Sequence, residues 1–208
     1  DNLRMLEMVQ ASRVPTVGLC MGEIGVPTRI LGGRAGAPFT YATFNEDRVL
    51  APGQIGWQQM RDIYRYDSIT RATRIYGVVA DPVAHNAALA ADGIDAVYVP
   101  FRVPAEQIDE FMTHARRWPL AGLSVTIPHK EAVLRHCERP DDLVKSIGAA
   151  NTLAFDAQGC AASNTDAAAA AESLEAVLAD QDQALAAGSG TVKTVLVLGA
   201  GGAARAWH

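Results

Sequence analysis

The stretch that constrains this chain most runs from Ile75 to Ile127, where short apolar runs alternate with helical patterns. Ile75–Pro82 reads as a strand closed by a turn, Asn86–Asp92 as a short alanine-rich helix ended by Gly93, and Ala96–Phe101 as a second strand. Ala105–Trp118 is an amphipathic helix with Ile108, Phe111 and Met112 on one side, and Leu120–Ile127 is a third strand. Such a β-α-β-α-β order implies a mostly parallel sheet with covering helices. Further on, Asp141–Ile147 and Glu131–Cys137 are predicted helical, Asn151–Phe155 and Cys160–Ser163 form a hairpin about Asp156-Ala157-Gln158-Gly159, and Asp166–Leu178 is a long alanine-rich helix. Polar Asp180–Gly190 reads as a linker, after which the strand Val192–Leu198 runs into Gly199-Ala200-Gly201-Gly202-Ala203-Ala204.

The first 72 residues carry a different pattern. Asn2–Gln10 is helical, Thr16–Cys20 a buried strand, Leu31–Pro38 a glycine-rich connection, Phe39–Phe44 a second strand, and Gly56–Tyr66 a helix with Trp57, Met60, Ile63 and Tyr64 at core spacing. A boundary falls in the polar connection Asp67–Arg74, which divides the chain into 1–72, 73–190 and 191–208.

Composition narrows the class of function. With 208 residues, 49% hydrophobic and 20% charged, the chain is an ordinary globular protein. Its net charge of −5 gives no basic footprint, so nucleic acid and anionic membranes are poor partners. No apolar run approaches the ~20 residues of a membrane-crossing helix, and Asp1-Asn2-Leu3-Arg4 lacks a signal-peptide layout. Cys20, Cys137 and Cys160 lie far apart in sequence, without the spacing of a metal site or a disulfide framework, which suits a reducing cytoplasm.

Four features bear chemistry. Ser124-Val125-Thr126-Ile127-Pro128-His129-Lys130 ends a strand at a proline and delivers a lysine just beyond it, where ligands of open α/β sheets sit. Ser163-Asn164-Thr165-Asp166 opens a helix; Thr165 or Asp166 can cap it, and a carboxylate there can also hold an ammonium. Gly148-Ala149-Ala150-Asn151-Thr152 sits at a helix-to-strand junction, with Asn151 either a turn residue or an amide facing a polar ligand. The run Gly199, Ala200, Gly201, Gly202, Ala203 with Ala204 fits a dinucleotide turn: a tight bend, close backbone approach to a pyrophosphate, and a helix N-terminus beneath it. The charged residue about 20 positions on that separates NAD from NADP is not in the chain.

Together with Asp81-Pro82-Val83-Ala84-His85 and Val97-Tyr98-Val99-Pro100-Phe101, these segments resemble shikimate dehydrogenase in order and spacing. The resemblance implies NADP-dependent reduction of 3-dehydroshikimate to shikimate, on an α/β substrate-binding domain followed by the start of a Rossmann dinucleotide-binding domain. It makes Lys130 and Asp166 the catalytic pair, Thr126 and Asn151 binders of substrate hydroxyls, and Gly199–Ala203 the cofactor turn; it implies no metal. The family's two carboxylate-binding serines have no counterpart, because His85 runs straight into Asn86. A quinate-preferring dehydrogenase and a non-catalytic sensor of shikimate or quinate on the same folds are the alternatives.

Met21-Gly22-Glu23-Ile24-Gly25 with Thr28-Arg29-Ile30, Phe39-Thr40-Tyr41 and Ala51-Pro52-Gly53-Gln54-Ile55 are similar to the C-terminal part of type I 3-dehydroquinate dehydratase, a (β/α)8 barrel. That resemblance implies Arg29 on the carboxylate of 3-dehydroquinate and Gln54 on a hydroxyl. Leu50 stands where the family has serine, and residues 1–72 contain no lysine for its Schiff base. The two resemblances together imply a bifunctional cytoplasmic enzyme of the shikimate pathway acting on small molecules, a homo-oligomer being compatible with it.

Overall fold

A computed structural model describes residues 2–45, 49–78 and 83–173. The linker, the Val192–Leu198 strand, the glycine turn 199–203, the end of the 166–178 helix and Asp81-Pro82 therefore lie outside the described residues.

Helix α1 (Asn2–Ala11) buries Leu3, Leu6 and Val9, a stripe at three-residue spacing. Helix α2 (Val26–Ala35) is not among the expected elements: the glycine-rich stretch 31–35, expected as a connection, is helical, and Gly36 in the left-handed region at φ 105° ends the helix. Buried Ile30, Leu31 and Ala35 hold this half of α2 against its low propensity. Helix α3 (Trp57–Asp62) is shorter than the predicted Gly56–Tyr66: residues 63–65 leave the helix, Arg65 at φ 50°, and a 3₁₀ turn follows at Tyr66–Ser68. Met60 and Tyr64 are core, but Trp57 is 37% exposed and stacks on Phe44.

Neither strand expected in residues 1–72 forms. Residues 15–20 carry no ladder, and the run from Phe39 contributes one parallel bridge, Thr43 to Gly56. Extended backbone is held by a neighbour's N–H and C=O groups, and among the described residues only Ile55 and Trp57 offer them, to Thr43. Phe39, Tyr41 and Phe44 are exposed as a result. No closed barrel exists among the described residues; the sheet is open.

That sheet follows from residue 74. Strands β1 (Arg74–Val78), β2 (Ala96–Pro100) and β3 (Leu120–Ser124) are parallel with β1 central, connected by α4 (Val83–Ala91) and α5 (Ile108–Arg117). Strand β3 stops at Ser124, three residues before the expected end. Helix α5 buries Ile108, Met112 and Ala115 and carries Asp109 and Glu110 in its first turn and His114, Arg116 and Arg117 in its last, in accord with the macrodipole. A β-carbon on Gly77 would fall 2.4 Å from Leu123 and 2.8 Å from Phe101, so only glycine lets both pack across β1.

After β3, the predicted helix 131–137 is a 3₁₀ turn, Ala132–His136. The two-residue β4 (Arg139–Pro140), α6 (Asp142–Ile147) and the hairpin β5 (Thr152–Asp156) to β6 (Gly159–Ser163) complete the sheet in the order β2-β1-β3-β5-β6-β4. The β3–β5 and β5–β6 pairs are antiparallel, so the sheet is mixed, with three of its five pairings parallel. A further helix, α7, begins at residue 165.

One hydrophobic cluster joins the halves: Leu3, Leu6, Ile30 and Leu31 belong to the same core as Ile75, Val97, Met112, Trp118 and Leu153. Arg34 of α2 places its guanidinium 5.4 Å from the Trp118 ring centroid and donates to the Thr73 carbonyl at 3.1 Å.

Candidate active site

Three loops converge at the ends of β3, β5 and β6. Helix α6 fixes the middle one: the Asp141 side chain accepts from the Val144 N–H at 2.7 Å at its start, and Gly148 at φ 71° ends it. The chain then turns through the fully buried Ala149 and Ala150 into Asn151. Backbone bonds lace the loops together. Val125 N–H donates to Asn151 O at 2.7 Å, Asn151 N–H to Ser163 O at 3.1 Å, and Ala150 N–H to Lys130 O at 2.9 Å. His129, 2% exposed, donates from Nε2 to Val103 O at 2.7 Å and so pins the residue before Lys130.

Within this frame Lys130 Nζ lies 2.5 Å from Asp166 Oδ2. The lysine side chain is 18% exposed and the aspartate 42%, so the pair is partly open to solvent rather than in the core. Asn151 Nδ2 donates to the other carboxylate oxygen, Asp166 Oδ1, at 2.8 Å and to Thr165 Oγ1 at 2.9 Å, while its Oδ1 accepts from Thr165 N–H and the Thr152 hydroxyl. The residue that caps α7 is Asn164, not Thr165 or Asp166: its Oδ1 accepts from Asp166 N–H at 3.0 Å and its Nδ2 donates to Ala149 O at 2.9 Å. Asp166 is thus free of capping and turns its carboxylate outward to Lys130 and Asn151.

The Lys130 ammonium holds the Asp166 carboxyl below its ordinary range; the Asn151 amide acts in the same direction, and partial burial opposes both. A folded-state value lower than the unfolded one adds stability above the unfolded pKa of about 3.9 and loses it as pH falls through the folded value. The difference in urea midpoint between wild type and Asp166→Asn is therefore expected to be constant from pH 8 to about pH 5 and to shrink below about pH 4. A difference that grew on acidification would contradict this pairing.

The other expected site residues fall in two places. Thr126 is exposed between β3 and Lys130, and its carbonyl accepts from His129 N–H. Arg29 and Gln54 gather at a separate turn: buried Arg29 donates from Nη2 to Pro52 O at 3.4 Å, and Gln54 Oε1 accepts from Leu50 and Ala51 N–H. Arg29 Nε is buried without a hydrogen-bond partner among the described residues, and desolvation lowers the guanidinium pKa. At His85-Asn86 helix α4 runs on unbroken, Asn86 exchanging two hydrogen bonds with the Tyr98 backbone and His85 lying 4.3 Å from the Tyr98 ring. What sequence reasoning missed is the direct Asn151–Asp166 bond. Its one written trace is the repeated Asn-Thr dipeptide, at 151–152 and 164–165, which the β5–β6 register of Thr152 opposite Ser163 brings face to face.

An ammonium, a carboxylate and a carboxamide are thus grouped at the strand ends of an open α/β sheet, an arrangement chemically suited to a polar small molecule. Residues 77–153 match the family model described as shikimate dehydrogenase substrate binding domain, and residues 1–71 match that of type I 3-dehydroquinase. Each half of the chain is thus similar to one of these two families. The bifunctional 3-dehydroquinate dehydratase/shikimate dehydrogenase of Arabidopsis thaliana is 36% identical over an alignment covering 99% of this chain and 36% of that protein. The shikimate dehydrogenase (NADP(+)) of Anaeromyxobacter sp. is 42% identical over 66% of this chain and 49% of its own length. The chain thus spans half or less of these relatives. Among solved structures, the shikimate dehydrogenase of Aquifex aeolicus superimposes with a TM-score of 0.57 at 32% identity, covering 66% of this chain and 51% of that one. Among the described residues no helix is long and apolar enough to cross a membrane.

Proposed function

We propose that the chain serves NADP-dependent interconversion of 3-dehydroshikimate and shikimate, joined to a 3-dehydroquinate dehydratase part that forms the ketone substrate. The observation that carries this reading is the 2.5 Å contact between Lys130 and Asp166 at the strand ends, with Asn151 on the second carboxylate oxygen. NADP supplies or accepts the hydride when bound; Gly199–Ala203 is the turn assigned to it. As hydride reaches the ketone carbon, negative charge develops on the oxygen. Lys130 Nζ stabilises that charge and donates the proton that converts it to a hydroxyl. Asp166 orients the ammonium through one oxygen and accepts from a ring hydroxyl of the substrate. Asn151 aims the carboxylate, and the exposed Thr126 hydroxyl binds a further hydroxyl.

In residues 1–71, Arg29 is assigned to the carboxylate of 3-dehydroquinate and Gln54 to a hydroxyl. The buried Arg29 Nε, which has no acceptor among the described residues, fits a guanidinium made to receive an anion. With no lysine before Lys130, these residues bind substrate and do not form the Schiff base. The domain division at 67–74 and the cytoplasmic setting are part of the same reading.

The test is oxidation of NADPH by the full-length protein with 3-dehydroshikimate. Turnover dependent on the ketone supports the reading. Binding of shikimate without turnover would replace it with the sensor, and faster oxidation of quinate than of shikimate in the reverse direction would replace the substrate.

A further inference from the structure

The cysteines that look unrelated in sequence are not so in space. Cys137 and Cys160, 23 positions apart, place their sulfur atoms 3.2 Å from each other. Cys137 is the half-buried residue that ends the 3₁₀ turn after Lys130, and Cys160 lies fully buried in β6, the strand leading to Asp166. The backbone around them is held. Arg116 binds the Glu138 carboxylate at 2.6 Å and the His136 carbonyl, and the other Glu138 oxygen accepts from Cys160 N–H at 2.8 Å. A disulfide requires about 2.05 Å between sulfurs, so an approach of about 1 Å closes it.

We propose that Cys137 and Cys160 form an oxidisable dithiol, a modification site that a low-molecular-weight disulfide converts into an intramolecular bridge across the base of the loop carrying Asn151. Cys137 is the attacking sulfur, being the more exposed of the two. It has two hydrogen-bonding arrangements: as a thiol it donates to Val133 O at 3.3 Å, and as a thiolate it accepts the S–H of Cys160. Donation from Cys160 lowers the Cys137 pKa, and the same bond together with burial raises that of Cys160, so one proton is shared and the outer sulfur loses its own first. The Cys137 thiolate attacks one sulfur of the oxidant, forming a mixed disulfide and expelling one thiolate. Cys160 then gives up its proton to solvent and attacks Cys137 Sγ, expelling the second. The protein loses two hydrogens, and the oxidant is reduced to two thiols.

Oxidised glutathione is the probe. The full-length protein is incubated with it, quenched in acid, alkylated and mapped by peptide mass, alongside Cys160→Ala. The wild type is expected to yield a peptide pair joined through Cys137 and Cys160, with two glutathione thiols released per bridge and Cys20 not required. Cys160→Ala is expected to stop at one glutathione held on Cys137. Cys137 and Cys160 both remaining alkylatable at oxidant levels that modify Cys20 would overturn the proposal, as would a wild-type chain that accumulates glutathione on Cys137 without closing the bridge. The wild-type map decides the matter even where the alanine variant fails to fold.

Discussion

Replacement of Lys130 by alanine is expected to lower the turnover of 3-dehydroshikimate by about 10²–10⁴-fold, the range contributed by a positioned proton donor. The expectation rests on what the ammonium does in the structure. Its backbone carbonyl is bound by Ala150 N–H, the preceding His129 is pinned to Val103, and its Nζ meets Asp166, so the group is held in place before substrate arrives. The described bonds that hold Lys130 are made by residues 103–166, and the nucleotide turn is assigned about 70 positions further on in the sequence, so the affinity for NADP is expected to stay within a few-fold. Steady-state kinetics with a parallel nucleotide titration separates the two effects. A variant with wild-type turnover would remove the proposed mechanism, and one that lost nucleotide binding equally would mean that the lysine acts on the wrong partner.

The largest expected effect on stability is at Trp118. This ring is 1% exposed, at the end of α5 just before β3, within the cluster shared by both halves of the chain. Truncation of a buried tryptophan costs about 3–5 kcal/mol through lost burial and the cavity left behind. For a chain of this size that is a fall of about 10 °C in the unfolding midpoint. The Trp118 Nε1 has no hydrogen-bond partner among the described residues, so the ring contributes through packing and through the Arg34 guanidinium beside its face, not through a polar anchor. Trp118→Phe should therefore recover most of the loss. Thermal unfolding of the two variants checks this: equal large losses would point to the indole nitrogen, and a Trp118→Ala midpoint within 2 °C of wild type would mean that the two halves do not share a core.

The sequence made the second half legible because its signals are local. Alternation of apolar runs with amphipathic α5 placed three parallel strands, and the turn about Asp156–Gly159 placed the hairpin, each within a few residues of where it lies. Position in the sheet was harder to read. The antiparallel entry of β5 beside β3 depends on a pairing between residues about 30 apart, which periodicity does not record. In the first half the same reasoning failed at residues 16–20 and 39–44, because β-propensity describes fit to a sheet and the described residues provide no neighbouring strand there. The glycine-rich stretch 31–35, expected as a connection, is helical instead, because burial of Ile30, Leu31 and Ala35 keeps glycine-containing backbone in the helix.

The site was legible as a list of residues rather than as an arrangement. Lys130 and Asp166 were marked by their positions at a strand end and a helix start, and they meet. That Asn164 takes the capping role, leaving Asp166 free, turns on which of four adjacent polar side chains reaches back to the amides, a matter of single rotamers. The Cys137–Cys160 contact was hidden for a similar reason: it needs the 3₁₀ turn and β6 to be laid side by side before two distant cysteines become neighbours.

The central claim is that Lys130 and Asp166 act on the substrate as one unit, and a double-mutant cycle on kcat/KM tests it most directly. Removal of Asp166 by alanine substitution is expected to cost at least tenfold in the wild-type background and less than about threefold once Lys130 has been replaced, since groups that act together are lost together. Losses that multiply in the double variant would show that the two side chains work independently, and would contradict the account.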